Sequence, residues 1–289
     1  MRSSLPLDRA ALDKHPLPPV KDGNKDTKGR ILVVAGSRDV PGAAILAATA
    51  AMRAGAGKLK IATGQSVATQ VGVAMPEAMA VGLPENGDGT LAHAAVDVIA
   101  QSAEGMDCVV AGPGMPQGDI CKRISDILID AAAPLVLDAA LLRSLQPLEQ
   151  RALDRASLPI LLPHAGELAS LLDCEEDEIE ADPIGCGHRA AQIYQAVILV
   201  KGVSSHVVTP DGDCWTYEGG APGLGVSGSG DTLAGIVGGL LARGAAPLNA
   251  LLWAVRLHGE AGASLAKKVG PIGFLAREIP EEIPALHPR

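Results

Sequence analysis

The chain is organised around one stretch, Gly223-Leu224-Gly225-Val226-Ser227-Gly228-Ser229-Gly230-Asp231-Thr232-Leu233-Ala234-Gly235. It joins a glycine-rich loop to a helix, because the apolar residues from Leu233 onward recur at the spacing i, i+3, i+4, i+7 and i+8. The pattern predicts a helix that begins near Gly230 or Asp231 and stops at Arg243-Gly244. Its first amides then face the glycines, which is the geometry of an anion site.

Asp231 stands where the loop meets the helix, and two interpretations are open. As a structural residue it would cap the helix by accepting a hydrogen bond from a free amide. As a chemical residue it would take the proton of a hydroxyl that attacks a phosphoryl group held at the anion site. Spacing alone favours the cap, whereas the four glycines among the eight residues before Asp231 favour the chemical role, because a cap needs none of them.

Composition limits the partners. The chain has 289 residues, of which 47% are hydrophobic and 2% aromatic, and its formal charge is -9. That charge argues against nucleic acid and anionic membrane surfaces, and no apolar run approaches a membrane span, so we expect a small-molecule partner. The cysteines contain no C-x-x-C pair and are predicted to be reduced thiols of a cytoplasmic protein: Cys108, Cys121, Cys174, Cys186 and Cys214.

Short apolar runs alternate with helical patterns along most of the chain. The first run, Arg30 to Ala35, is typical of a buried parallel strand, and the alternation predicts an α/β fold whose mostly parallel sheet carries helices on both faces. Two strands around the turn at Asp211-Gly212 predict a hairpin on one edge of the sheet. We expect residues 1–27 to form an N-terminal arm and residues 28–289 a single domain, with a tail after Pro271 that prolines interrupt.

In an open parallel sheet, ligands bind beyond the carboxyl ends of the strands, so residues that directly follow strands are candidates. Gly112-Pro113-Gly114 is either an ordinary turn or a place where a ligand approaches the backbone. Asp138 would cap a helix or bind a cation or substrate. His164 with Glu167 would present two polar groups to the cleft, or His164 would simply cap. Lys201 would lie near a nucleotide phosphate, or be a solvated side chain at a turn.

Together these blocks resemble the ADP/ATP-dependent NAD(P)H-hydrate dehydratase family, a branch of the ribokinase-like superfamily, from about Lys28 to Lys267. The blocks are Gly36-Ser37, Pro41-Gly42-Ala43-Ala44, Arg53-Ala54-Gly55-Ala56-Gly57, Gly112-Pro113-Gly114, Leu137-Asp138-Ala139, Pro163-His164-Ala165-Gly166-Glu167, Lys201-Gly202 and Gly228-Ser229-Gly230-Asp231. The chain departs from the family pattern at Ala140, where a second acidic residue is usual, and at Ala165, Ala221, Val226 and Ser227.

The resemblance implies a ribokinase-like three-layer α/β/α sandwich and an enzyme that repairs hydrated NADH or NADPH. Such an enzyme phosphorylates the ring hydroxyl with ADP or ATP in the presence of Mg²⁺ and then eliminates phosphate, releasing AMP or ADP. A homo-oligomer, by resemblance a tetramer, is expected.

The resemblance also assigns residues. Asp231 would be the base, and Gly228 and Gly230 would supply the amide cradle for the transferred phosphoryl group. The residues expected to hold the adenine nucleotide are Lys201, Gly202, Val203, Ser204, Ser205 and Gly230. Those expected at the hydrated dinucleotide are Ala43, Ala44, Gly114, His164 and Asp231. Asp138 and Glu167 are the candidates for the metal.

Two other functions remain open on the sequence. A ribokinase-like kinase for a hydroxymethylpyrimidine or a sugar would use the same Asp231 and cradle, and fold alone does not separate the two activities. A nucleotide-binding protein without catalysis is consistent with the departures at Ala140, Ala221 and Val226. The Pro-His-x-Gly-Glu block together with Gly-Pro-Gly favours the dehydratase.

Overall fold

The computed structural model describes residues 4–19, 28–147 and 157–288, and ten strands in these ranges form one sheet. The strands are β1 Leu5–Pro6, β2 Arg30–Val34, β3 Lys58–Gly64, β4 Ala78–Leu83, β5 Cys108–Ala111, β6 Leu135–Leu137, β7 Ile160–Leu161, β8 Val197–Val200, β9 Ser205–Val208 and β10 Cys214–Tyr217. Their order across the sheet is β1-β10-β9-β8-β7-β6-β5-β2-β3-β4. Only the two pairs that β9 makes are antiparallel. The predicted mostly parallel sheet is therefore confirmed.

Helices cover both faces of this sheet. Those in the described ranges are α1 Arg9–Lys14, α2 Gly42–Arg53, α3 Ala68–Ala74, α4 Ala95–Ala103, α5 Ile120–Asp130, α6 Ala140–Arg143, α7 Ala165–Leu172, α8 Glu176–Ala181, α9 Pro183–Tyr194, α10 Ser229–Ala242, α11 Pro247–Lys268 and α12 Ile279–Leu286. In β2, Ile31 and Val33 join a core cluster with α2, α10 and α11, whereas Leu32 and Val34 join another with α4 and α5. Because side chains alternate across a strand, the two clusters lie on opposite faces, which gives three layers.

Close packing of α10 on α2 sets the position of the predicted anion site. A methyl group built on Gly235 would overlap the carbonyl oxygen of Ala47, and one built on Gly239 would overlap that of Ala51. Glycine at these two positions thus lets the backbones of the two helices touch. The same helix lies over the sheet, where Gly238 contacts Val110 of β5. The amino end of α10 is held against the carboxyl ends of the central strands.

The described part of the N-terminal arm extends the sheet. β1 pairs in parallel with β10, so the predicted hairpin of β9 and β10 has one further strand outside it. Trp253 of α11 donates its indole N–H to the carbonyl of His15 at 2.8 Å, and Asn249 donates to the carbonyl of Pro16 at 2.9 Å. The charged residues 21–26 of the predicted arm lie outside the described ranges.

The prediction of an interrupted tail is wrong for residues 279–286, which form α12. Pro280 occupies its first turn, where the missing N–H costs nothing, although Pro284 lies inside the helix. Ile279 and Ile283 are both fully buried in the core cluster that contains α2. Packing of these two side chains outweighs the cost of the internal proline.

None of the described helices combines the length and the hydropathy of a membrane span. The single domain from residue 28 to residue 289 stays a prediction, and one cooperative unfolding transition in urea, seen by both fluorescence and circular dichroism, would support it.

Candidate active site

Four neighbouring strands end at the same place in the sheet. β5, β6, β7 and β8 are consecutive and parallel, so the residues that follow them meet at one edge. An isolated parallel bridge between His164 and Lys201 continues the pairing of β7 and β8, and the amide of Lys201 donates to the carbonyl of Pro163 at 2.9 Å. The structure therefore brings Gly112, Asp138, His164 and Lys201 together, as the strand-end argument predicts.

Lys201 forms the centre of this edge. Its Nζ donates to Asp138 Oδ1 at 2.8 Å and lies 3.8 Å from Glu167 Oε2. The side chains of Lys201, Asp138 and Glu167 are only 20%, 4% and 7% exposed. Burial by itself would lower the pKa of Lys201, but Asp138 and Glu167 outweigh it and raise that pKa. The interpretation of Lys201 as a solvated turn residue is wrong, and its ammonium is a fixed positive charge in the site.

Asp138 is held from three sides. Its Oδ1 also accepts a hydrogen bond from the amide of Ala139 at 2.9 Å, so the local capping-like contact and the contact with Lys201 are both present. Ala139 has φ 50° and ψ -120°, a conformation that residues other than glycine rarely adopt. Gly112, at φ 121°, packs its Cα directly on the carbonyl of Asp138. The role of Gly112 is thus close backbone approach to Asp138.

We expect Gly112→Ala to lower the free energy of unfolding by about 2–4 kcal/mol, because its methyl group would overlap the carbonyl oxygen of Asp138 and strain a positive φ. Urea unfolding measures this change. Gly118→Ala is the matched control, since a methyl group at Gly118 meets no atom within 4 Å among the described residues. Equal stability of the two variants would contradict the close approach.

His164 begins helix α7. Its Nδ1 accepts from the amide of Glu167 at 3.4 Å, and Glu167 Oε2 accepts from the amide of His164 at 2.9 Å, which makes a capping box. The side chain of His164 is 52% exposed, whereas that of Glu167 is buried and turned toward Lys201. His164 therefore does cap, and its other ring nitrogen, Nε2, lies 3.4 Å from Glu167 Oε1.

Helix α10 begins at Ser229, slightly before the predicted start, and its N-cap residue is Gly228 with φ 89°. Asp231 is the third residue of the helix, so the interpretation of Asp231 as the cap is wrong. The reason is that a left-handed glycine makes the turn into the helix and leaves the carboxylate of Asp231 inside the first turn. There a negative charge is favoured by the helix dipole.

Burial raises the pKa of Asp231 to about 6, with a further contribution from Asp138, while Lys201 acts in the opposite direction. A carboxylate with such a pKa is ionised at neutral pH and basic enough to accept a proton. A methyl group on Gly230 would lie 3.8 Å from Lys201 Nζ and 4.0 Å from Asp138 Oδ2. The amino end of α10 and the Lys201–Asp138 ion pair thus face each other across a short gap.

The other predicted binding residues lie around this gap. Residues 201–204 connect β8 to β9, which begins at Ser205. Gly202 and Val203 are exposed, and Ser204 and Ser205 are half-buried. A methyl group on Gly114 would overlap the side chain of Ala43. Ala43 and Ala44 are themselves buried, and a methyl group on Gly36 would lie 3.1 Å from the side chain of Ala44.

One residue of the site gave no signal in the sequence. His258 on α11 places its Nε2 3.1 Å from both the hydroxyl and the carbonyl oxygen of Ser229. It lies in the middle of an amphipathic helix with no motif around it, so only the packing of α11 against α10 identifies it.

Comparison with known proteins identifies the family. The sequence profile described as NAD(P)H-hydrate dehydratase matches residues 31–285. The chain belongs to the NAD(P)H-hydrate dehydratase family. The family resemblance drawn from the sequence blocks is thereby confirmed.

An ADP-dependent (S)-NAD(P)H-hydrate dehydratase from Xanthomonas campestris is 47% identical over 280 residues, which are 96% of this chain and 94% of that protein. Further relatives are bifunctional NAD(P)H-hydrate repair enzymes, and the chain spans about half of their length. The structure of the ADP/ATP-dependent NAD(P)H-hydrate dehydratase from Bacillus subtilis, co-crystallised with ATP and Mg²⁺, matches with a TM-score of 0.85 at 29% identity over 99% of this chain and 98% of that one.

A ribokinase-like superfamily protein from Enterococcus faecalis shares the fold, with a TM-score of 0.79 at 23% identity over 98% of this chain and 94% of that one. The ribokinase-like three-layer architecture is confirmed.

Proposed function

We propose that this protein dehydrates hydrated NADH and NADPH, with ADP or ATP as the phosphoryl donor. The observation that carries the proposal is the placement of Asp231, a carboxylate whose pKa is raised to about 6, at the amino end of α10 opposite Lys201 and Asp138. The 47% identity to an enzyme named for this activity supports it.

In the proposed reaction, Asp231 accepts the proton of the ring hydroxyl while that oxygen attacks the terminal phosphoryl group of ADP or ATP. AMP or ADP leaves with the electron pair of the broken P–O bond, and the amides of Gly228 and Gly230 stabilise the charge on the transferred group. The bond between the ring carbon and the phosphate oxygen then breaks, and phosphate departs. Loss of a proton from the adjacent ring carbon restores the double bond. The ammonium of Lys201 compensates the phosphate charge.

The residues present fit Mg²⁺ as the metal. Among the described residues there is no group of three or more His, Cys, Asp or Glu that could hold a metal ion alone. Magnesium in nucleotide enzymes is bound through one or two carboxylates together with water and substrate phosphates. Asp138 Oδ2 and Glu167 can provide the carboxylates. When bound, it would neutralise phosphate charge during the transfer.

The experiment that tests the proposal incubates the protein with hydrated NADH or NADPH, Mg²⁺ and either ADP or ATP. Recovery of the absorbance of reduced nicotinamide together with release of inorganic phosphate is the expected result. A stable phosphorylated alcohol formed from a hydroxymethylpyrimidine or a sugar would instead show a kinase. Nucleotide binding without turnover of any hydroxylated substrate would show a binding protein, and either result would overturn the dehydratase.

We further propose that the nucleotide occupies the space between residues 201–205 and the amino end of α10, and the hydrated dinucleotide the space beside Gly114, His164 and Asp231. A homo-oligomer, by resemblance a tetramer, and a cytoplasmic location also remain proposals. The cysteines support a reducing compartment, because all of them are free thiols. Light scattering of the purified protein tests the assembly.

A further inference from the structure

His258 reaches the start of helix α10 from the neighbouring helix α11. Its Nε2 lies 3.1 Å from the carbonyl oxygen of Ser229 and 3.1 Å from the Ser229 hydroxyl. A carbonyl oxygen only accepts hydrogen bonds, so Nε2 bonds this carbonyl in the tautomer that carries its proton on Nε2. Thr232, which is fully buried, donates its hydroxyl to the same carbonyl at 2.7 Å. The carbonyl of Ser229 is therefore held by two donors from different helices.

The orientation of this carbonyl determines the orientation of an amide in the proposed cradle. The carbonyl of Ser229 and the N–H of Gly230 belong to one planar, trans peptide unit, so they point in opposite directions. Drawing the carbonyl toward α11 aims the Gly230 N–H away from α11. Gly230 is the residue whose added methyl group would face Lys201 Nζ at 3.8 Å and Asp138 Oδ2 at 4.0 Å.

The imidazole of His258 is suited to a fixed donor role. Burial lowers its pKa to about 4, and the nearby positive charge of Lys201 acts in the same direction. The ring is consequently neutral near pH 7 and adds no competing charge beneath the anion site. A hydrogen-bonding neutral ring of this kind holds a backbone group without attracting the phosphate away from the cradle.

We propose that His258 is a positioning residue for phosphoryl transfer, acting through the Ser229 carbonyl to aim the Gly230 N–H at the transferred group. The proposal rests on the phosphoryl-transfer chemistry proposed above. His258 touches no reacting atom, and its effect is on the alignment of a donor. Misalignment of such a donor lowers the rate of the chemical step more than it weakens substrate binding.

The test compares two substitutions at this position. His258→Leu keeps much of the volume and removes the donor, and we expect kcat to fall by roughly 10- to 10²-fold with the KM for nucleotide changed less than about 3-fold. His258→Gln places an amide N–H near the position of Nε2 and should restore kcat to within about 5-fold of the wild type. Ser264→Ala is the control, because it removes a part-buried 2.6 Å hydrogen bond from the same helix to Glu282, away from the site. It should leave kcat unchanged.

A second readout is independent of turnover. In protein labelled with ¹⁵N-glycine, the amide signal of Gly230, identified by its loss in Gly230→Ala, should shift on addition of ADP in the wild type and in His258→Gln. It should shift much less in His258→Leu. If no variant turns over hydrated NADH but this pattern of shifts is seen, the proposed function fails and the positioning role stands. Equal shifts in all three proteins, or wild-type kcat in folded His258→Leu, would overturn the positioning role.

Discussion

Replacing Asp231 by Asn is expected to lower kcat/KM for the hydrated dinucleotide by roughly 10²-fold or more, while the protein becomes more resistant to unfolding near pH 7. Asn keeps the size of the side chain but does not accept the proton of the ring hydroxyl. Because Gly228 is the cap of α10, the substitution removes no capping interaction. Nucleotide affinity, measured by calorimetry, should stay close to that of the wild type.

The stability change follows from the pKa of Asp231, which is raised from 3.8 to about 6 in the folded protein. For an acid with a raised pKa, the folded state is penalised once the group is ionised. The penalty is complete above about pH 6 and absent below about pH 4, and its upper bound is about 3 kcal/mol. The difference in unfolding temperature between Asp231→Asn and the wild type should therefore be largest at pH 7.5 and vanish near pH 3.5. The kcat/KM of the wild type should fall as pH drops below about 6.

Asp177→Asn is the matched control for this experiment, because Asp177 is an exposed acid in the first turn of α8. Its activity should equal that of the wild type. Full turnover by Asp231→Asn would show that Asp231 has no role in catalysis. Loss of nucleotide binding in that variant would show that Asp231 serves the anion site and is not the base.

Replacing Lys201 by Met is expected to reduce both stability and activity strongly. The substitution leaves the carboxylates of Asp138 and Glu167 buried without their cation, and breaking a buried ion pair in this way costs about 3–5 kcal/mol. It also removes the charge that opposes the rise in the pKa of Asp231. The acid limb of the pH–rate profile should move above pH 6 in any activity that remains. Urea unfolding and the pH profile of kcat/KM measure the two effects.

A second substitution separates charge imbalance from loss of packing. Asp138→Asn in the Lys201→Met background should recover part of the stability without recovering activity, since it removes one uncompensated charge. Lys122→Met is the matched control, because Lys122 and Asp126 form an exposed ion pair at 3.3 Å whose loss should cost less than about 0.5 kcal/mol. Wild-type stability in Lys201→Met would show that the ion pair at the site contributes nothing.

Several parts of the molecule follow from local sequence. The alternation of apolar runs with helical patterns predicts the parallel sheet, since strands such as β5, with all four residues buried, read as continuous apolar runs. The spacing from Leu233 to Leu241 predicts α10 to within two residues at its start. Asp138, His164 and Lys201 each follow a strand in the sequence, and this position predicts that they converge, because chain direction is the same in neighbouring parallel strands.

Other features depend on contacts between distant parts of the chain. Pro284 predicts an interruption, yet burial of Ile279 and Ile283 against the core keeps α12 helical. The contact of Gly112 with the carbonyl of Asp138 is likewise invisible in a Gly-Pro-Gly turn.

By itself, then, the sequence determined the α/β architecture, the family and the residues at the strand ends, because periodicity, turn chemistry and motif spacing are local properties. Tertiary structure decided the burial, the partners and the charge environment of those residues. It made Lys201 a buried partner of Asp138, 63 positions away, and made Asp231 a carboxylate of raised pKa where its position before an apolar run suggested a cap. It also placed His258 beneath the Ser229 carbonyl. The burial and the charge environment of a site depend on neighbours from many segments of the chain, so a local sequence pattern does not determine them.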